Sequence, residues 1–533
     1  MKNILMFSQE KKHLFYVSII FLISILVNQF YGHIGVSPDS FAVFNGGFNI
    51  LNNKLPFKDY WTLHGPLLDL IQSIFFKLFG ISWFSYTLHA SIFNLIISVA
   101  TYLTLLKFKL KPFYSFFYTI LLSILFFPTV GTPNPDHHSL TFALLGLFSF
   151  VLAIKTKKEV YWFAIPFFLI LGFFSKQTPV SYVAILITFF TTYYFILNFK
   201  KKNIFLIFYS VIASSFLILF FIIILFKINN IDFDDFYNQY IVFASSVGSG
   251  RLNAEFLVPV EFNRYVLRFK LLHLSQIILI VVLIKNLHSN KNFVKKDDFI
   301  ILSILISVVF ILIIHQLLTL NVKFIFCVIP IFAGFSHIYY LKYFRHKKKV
   351  EFFILFFALA FTLYYFINYV HTRKFVVQKV YNLEKPIKTN RLGEGFKNLY
   401  WITPLHDIPA DEINDLVEAV NIIKREQKLG KKKIVVTDYS FIFSTFSIAH
   451  TQINKFYAPG VSYPLTSHKS FTYYKDYFLK KLKKNKVEEV YFMKHNYYEN
   501  ESFFLKDIII EDCSKKRNIL NGNLIVYNIK NCY

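Results

Sequence analysis

Apolar residues in this chain fall in long blocks rather than in alternation. Uniformly apolar runs occupy 14–30, 83–106, 113–130, 139–154, 160–174, 179–198, 204–226, 271–285, 299–318, 324–341 and 352–370. Runs of roughly 17 to 25 residues are long enough to cross a bilayer as helices. A backbone in lipid must satisfy its own hydrogen bonds, which selects a helical bundle. The connections between the runs alternate in character. Lys11/Lys12, KFKLK (107–111), KTKK (155–158), FKKKN (199–203), KNLHSNKNFVKK (285–296) and KYFRHKKK (342–349) occupy every second one. Lysine-rich connections stay on the cytoplasmic side. The pattern therefore predicts eleven spans, an N-terminus inside, and everything after residue 370 outside.

Two regions break the pattern. GPLLDLIQSIFFKLFG (65–80) is apolar but interrupted by Asp69, Gln72 and Lys77, which predicts an amphipathic helix lying in the interface. The tail, 371–533, is polar and carries soluble-domain signals. PADEINDLVEAVNIIKREQKLG has helical periodicity and ends on a C-capping Gly430. KKIVVTDYS reads as a strand running into a turn, SFTYYKDYFLKKLKK as a helix, and EEVYFM and LIVYNI as strands. Helices alternating with strands predict a small α/β or α+β domain. The organisation expected is a membrane domain over 1–370 and an extracytoplasmic domain over 371–533.

Composition agrees with this class. The 533 residues are 55% hydrophobic and only 17% charged, with mean hydropathy +0.46. A net charge of +27 raises nucleic acid as a partner. The lysines, however, sit in short clusters between apolar runs rather than on one soluble face, which excludes that reading. The N-terminal run lacks an A-x-A cleavage site and reads as an uncleaved first helix. Of three cysteines, Cys327 lies in a span, and Cys513 and Cys532 lie in the tail, where an oxidising compartment would let them pair.

The chemistry-bearing side chains gather in the segments expected outside. They are Asp39, Asp59 and His64 in the first; Asp136, His137 and His138 in GTPNPDHHS; Lys176 and Gln177 in SKQTP; Arg251, Arg264 and Arg268 in 227–270; and His315. Asp39 in IGVSPDS reads either as a turn and cap residue or as a general base at the membrane surface. Asp59 and His64, in KDYWTLHGPL, read as polar loop residues or as supporting members of a site. Asp136 and His137 offer ligands to a divalent cation. Three adjacent side chains do not all face one ion, though, and the alternative is a capped helix start. Zinc-type Cys/His spacing is absent from the sequence. Lys176 outside runs against the lysine bias. It reads as snorkelling or, with Gln177, Arg251, Arg264 and Arg268, as a phosphate-binding set.

The order SPDSFAVFNGG, then LNNKLPFKDYWTLHGPLLDLIQSIFFKLFGIS, resembles the GT-C integral-membrane glycosyltransferases that use polyprenyl-phosphate sugars. Bacterial relatives of the protein O-mannosyltransferases and the lipid A aminoarabinose transferases show the same order. Asn53–Asp59 stands at their G-x-x-P-Y-x-D piece, with Asn for Gly and Phe for Tyr. His64-Gly65-Pro66-Leu67 and Leu78-Phe79-Gly80 match the H-x-P-L and L-F-G pieces downstream of it. The resemblance is densest over 36–82. It implies Asp39 as catalytic base and cations of other outside loops on the donor phosphate. Many members carry an acidic pair where this chain has Asp39-Ser40, which counts against a paired-carboxylate or metal-dependent mechanism. The function expected is inverting transfer of a sugar from a polyprenyl-phosphate donor to a cell-envelope acceptor, at the outer face of a bacterial inner membrane. The competing classes are a transporter or flippase, which would hold its charges within the spans, and a polymerase or ligase of lipid-linked glycans.

Overall fold

The structure, a computed structural model, describes residues 2–36, 41–63, 65–127, 131–200, 204–256, 261–319, 324–371, 386–402, 408–427, 430–437, 439–446, 448, 450–457, 460, 462–493, 508, 514–529 and 532. Helix α1 (Lys2–Tyr31) leads into a short strand β1 (Ile34–Val36) and then into α2 (Ala42–Leu51) and α3 (Pro66–Phe79). The bundle continues with α4 (Trp83–Lys107), α5 (Pro112–Leu125), α6 (Pro135–Thr156), α7 (Glu159–Ser175), α8 (Val180–Asn198) and α9 (Ile204–Ile228). After α10 (Phe233–Phe236), a π-type turn at Tyr237–Phe243 and α11 (Ala244–Phe256), it closes with α12 (Lys270–Ser289), α13 (Asp297–Thr319), α14 (Ile329–Tyr343) and α15 (Lys348–Tyr365). Among the described residues nine helices are long and apolar enough to cross a membrane. Helices α5 and α7 occupy two further expected spans but are shorter. This is a polytopic helical membrane protein. Helices α6 and α14 are buried on nearly every face and form the axis of the bundle. Helix α9 exposes Phe216, Phe220 and Ile223 as a lipid-facing surface.

Polar contacts segregate to two ends. At one, the lysine-rich connections meet each other: Lys157 pairs with Asp297 at 2.7 Å, Lys342 pairs with Asp298, and Tyr193 Oη donates to Val294 O. At the other end, Lys58 donates to Asn229 O, Gln177 to Leu63 O and Tyr240 O, and Lys176 to Asp136. The tail also packs here, so this end is called the domain end.

The tail contributes β2 (Ile387–Lys388), β3 (Tyr400–Ile402), α16 (Pro409–Gln427), β4 (Lys433–Val436), α17 (Ser440–Thr445), α18 (Phe471–Asn485), β5 (Glu489–Met493), β6 (Lys515–Ile519) and β7 (Leu524–Asn528). Its main sheet has the order β4-β5-β7-β6, with β4 parallel to β5 and the other pairs antiparallel. The period-2 alternation splits the strands between two cores. Val435, Tyr491 and Val526 pack with Leu416 and Ile423 of α16; Ile434, Val490 and Ile525 pack with Phe478 and Leu482 of α18. Strand β6, at the sheet edge, is all charged or polar before Ile519, a pattern that blunts an open edge. Cys532 is disulfide-bonded and Cys327 is a free thiol; Cys513 lies outside the described residues.

Both cores of the tail extend into the first segment of the membrane half. Phe41, Phe44, Leu68 and Trp83 belong to the α16 side, and Trp61 and Leu63 to the α18 side. Strand β1 pairs in parallel with β3, Ile34 to Tyr400 through Val36 to Ile402. The backbone of Trp61 exchanges hydrogen bonds with Ile453 O and Lys455 N.

Beneath this junction lies a buried charge pair. Lys455 Nζ is 2.5 Å from Asp69 Oδ1, with both side chains at most 1% exposed. Tyr60 Oη donates to Asp69 Oδ2 at 2.9 Å. Helix α3 faces the protein with its polar side, Asp69, Gln72 and Ser73, and turns Leu70, Ile74 and Leu78 outward. The amphipathic helix expected from the sequence is therefore present, with its apolar side exposed. Gly46 and Gly47 of α2 make room for it: a Cβ on Gly46 would stand 2.1 Å from Asp69 Oδ1, and one on Gly47 2.5 Å from Gln72 Cγ. Removing one partner from a buried ion pair costs about 3–5 kcal/mol, because the other charge is left uncompensated. Lys455→Met is therefore expected to lower the thermal stability of the full chain in detergent by that amount. Lys455→Met/Asp69→Asn is expected to recover part of the loss; a double variant no more stable than the single one would show that the pair does not join the two halves.

Candidate functional site

Helix α6 begins with Asn134 as N-cap, its side chain accepting from the backbone N–H of Asp136 and His137, and Pro135 takes the first turn. The cap fixes where the next three side chains go, and they diverge. Asp136 is held by Lys176 at 2.6 Å and faces His315 Nε2 at 3.3 Å. His138 Nδ1 lies 2.9 Å from Asn134 O, and its Nε2 lies 3.2 Å from His89 Nε2. His137 packs its ring on Phe126, and among the described residues neither ring nitrogen has a hydrogen-bond partner. Adjacent residues on a helix point about 100° apart, so the three form no metal-binding set. Among the described residues no group of three His, Cys, Asp or Glu side chains is placed to hold a metal ion.

The histidine contacts form a chain with one consistent tautomer assignment. His138 Nδ1–H donates to Asn134 O, which leaves His138 Nε2 to accept from His89 Nε2–H. His89 Nδ1 must then accept. It faces Gln72 Oε1 at 2.9 Å while Gln72 Nε2 has no partner among the described residues. Turning the Gln72 amide over satisfies both groups. Helix α3 is thereby tied to α4 and α6 by neutral groups.

The other sequence-derived candidates occupy distinct places at the same end. Asp59 closes a tight turn: its Oδ2 accepts from Leu55 N at 2.9 Å, and Lys54 and Lys481 bear on it electrostatically. Burial lowers the Lys54 ammonium, an effect partly offset by Asp59. Gln177 uses its amide to clamp Leu63 O and Tyr240 O. Arg264 lies in a π-type turn, Asn263–Leu267, that precedes Arg268. Arg268 and Lys270 border a groove of about 390 Å³ floored by Phe326, Tyr364, Tyr365 and Tyr369. Arg251 belongs to α11, and its side chain is outside the described set. Asp39 and His64 also lie outside the described residues. Their flanks are anchored: Val36 pairs with Ile402, and Phe41 stacks on Trp401 at 5.3 Å. On the other side of His64, Gly65 begins α3 with φ +78°, beside Lys455 and Pro135.

Sequence pattern alone did not single out Lys455, His89 or Lys270, and Tyr60 and Trp61, which read as interfacial anchors, are instead fully buried. Asp69 was the available signal, since a carboxylate inside an apolar helix needs a partner. Burial pushes the Asp69 carboxyl up to about 6, against the opposing pull of Lys455 and Tyr60. The folded pKa then lies above the unfolded value, so the folded state holds the proton more tightly. The contribution of this group to stability is greatest below about pH 4 and is lost as pH rises through about 6. The stability of the wild type relative to Asp69→Asn, followed by thermal unfolding, is expected to fall between about pH 4 and 7; a rise over that interval would reverse the assigned sign.

Residues 63–226 match the family model described as dolichyl-phosphate-mannose-protein mannosyltransferase. The match runs from the turn before α3 to the last turns of α9 and includes Asp136, His137, Lys176 and Gln177; it begins after Asp39 and Asp59. No curated protein matches the chain. Over α3 to α9, the segment that supplies Asp69, Asp136 and Lys176 to the domain end, the chain matches a GT-C family domain, that of the dolichyl-phosphate-mannose-protein mannosyltransferases.

Proposed function

We propose that the chain takes a sugar from a polyprenyl-phosphate donor and transfers it, with inversion, to a cell-envelope acceptor at the domain end of the bundle. On this reading the domain end is the outer face of a bacterial inner membrane, and the 371–533 domain is periplasmic or extracellular. The observation that carries the reading is the family match over 63–226 together with the gathering of that segment's polar ends at one end of the bundle. There they lie under the tail domain and near a lipid-accessible groove bordered by Arg268 and Lys270.

The reaction is a single displacement. The acceptor oxygen attacks the anomeric carbon, the bond from that carbon to the phosphate oxygen breaks, and polyprenyl phosphate leaves with the electron pair. The acceptor proton goes to a carboxylate, which we assign to Asp39. A base must come within hydrogen-bond reach of the attacking hydroxyl, and the first-segment motif order that resembles the GT-C enzymes supports Asp39 in that role. Arg268 and Lys270 suit the departing phosphate, a guanidinium offering paired donors and an ammonium a point charge. Their aromatic floor suits an isoprenoid chain. Tyr31 at the exit of α1 stacks edge-on against Phe366, in the same cluster as Tyr369, so the groove adjoins that exit. Lys176, held by Asp136, and Gln177 act on this reading as positioning residues.

Transfer of labelled sugar from polyprenyl-phosphate donors in membranes tests the proposal. Wild type is expected to transfer, and Asp39→Asn, at equal expression, to lose roughly 10²–10⁴-fold in rate. Full activity in Asp39→Asn would remove the base assignment. No transfer by wild type with hexosyl and pentosyl donors would overturn the donor class.

A further inference from the structure

A second cationic cleft lies on the other side of the exit of α1, about 560 Å³ in volume, between α1, α4 and the tail. Its walls come from parts of the chain far apart in sequence. Gln29 and His33 come from α1 and the residues after it, Trp83 and Thr87 from α4, and Lys388, Lys397 and Tyr400 from the β2–β3 region. The walls are fixed to one another. Tyr400 N donates to His33 O, Trp83 Nε1 to Gly32 O, and Thr87 Oγ1 to Gln29 Oε1. Gly395, between the two lysines, sits against Ile81 O, where a Cβ would stand at 2.7 Å.

Its chemistry is one-sided. Two lysines and a histidine line it together with amides, a hydroxyl and a phenol, and among the described residues no carboxylate lines it. Lys388 lies over the Tyr400 ring, and Lys397 has Glu394 at 3.7 Å, a fully solvated pair that leaves most of the lysine field unopposed. The lower rim is apolar and open. Phe30 is 65% and Phe84 45% exposed, on helices that cross the membrane. A water-soluble anion would not need that rim, and an uncharged lipid would not need the lysines.

We infer that this cleft binds the phosphate group of a membrane lipid that enters sideways between α1 and α4, its chain running along Phe30 and Phe84. The shared chemistry is an isoprenoid phosphate or a phospholipid headgroup. The site is separate from the Arg268 groove and does not require the transfer reading to hold.

The test places a photoreactive benzoylphenylalanine at Phe84 in the full chain, held in phosphatidylcholine nanodiscs, and measures crosslinked adducts by mass spectrometry. Geranylgeranyl phosphate is expected to give an adduct at least roughly tenfold more abundant than geranylgeraniol, and Lys388→Gln/Lys397→Gln is expected to erase that difference. Phosphatidylglycerol giving an equal, lysine-dependent adduct would support the site with a phospholipid as its occupant; a weaker one would support an isoprenoid phosphate. Equal labelling by geranylgeraniol and geranylgeranyl phosphate, or a phosphate preference that survives loss of both lysines, would overturn the inference. Lys480→Gln/Lys484→Gln, on the exposed side of α18, is the control and is expected to leave the adducts unchanged.

Discussion

A buried ion pair, Asp69 with Lys455, helps join two parts of the chain that are 386 residues apart in sequence. Burying two charges is costly unless each is matched and the remaining lone pairs are satisfied. Here Tyr60 supplies the additional donor, and Gly46 supplies the room. The consequence reaches beyond stability. Once Lys455 is seated, Trp61 is hydrogen-bonded to the tail, and the start of α3 at Gly65 is set against Pro135 and Ser175. The ends of α6 and α7, with Asp136 and Lys176, then stand beneath the tail domain. Specificity of docking, rather than net stability, is the role best attested for such buried charges.

The bundle below is organised by solvent. Its lysine-rich end ties connections to one another, whereas its domain end collects carboxylates, histidines and two cation-lined clefts. The clefts flank the exit of α1 and open toward lipid-facing aromatic surface. The proposed transfer from a lipid-linked donor needs such lateral access, because the donor's chain stays in the bilayer while its sugar reaches water. The tail roofs this end by strand pairing with residues 34–36.

Much of the architecture was legible in the sequence because its cause is local. Apolar block length specifies a span, and β-branched runs specify β4 and β7. The polar residues that interrupt 65–80 marked α3 as amphipathic. The pairing of distant groups was not legible. Nothing near Asp69 announces Lys455, and nothing near Asp136 announces His315. The run Asp136-His137-His138 suggested shared ligation, but a capped helix start sends the three side chains to Lys176, Phe126 and His89. The helices in 233–256 also escaped notice, since SSVGSGR has a loop composition that its context overrides. The resemblance over 36–82 anticipated the family, and the family match picks it up from Leu63 onward.

The most direct measurement is the face of the membrane at which transfer takes place. Full-length chain would be reconstituted in proteoliposomes of known orientation, with labelled polyprenyl-phosphate sugar in the bilayer and acceptor supplied on one side only. Product is expected only when acceptor is on the side of the C-terminal sheets. Product formed only with acceptor on the lysine-rich side would contradict the proposed transfer.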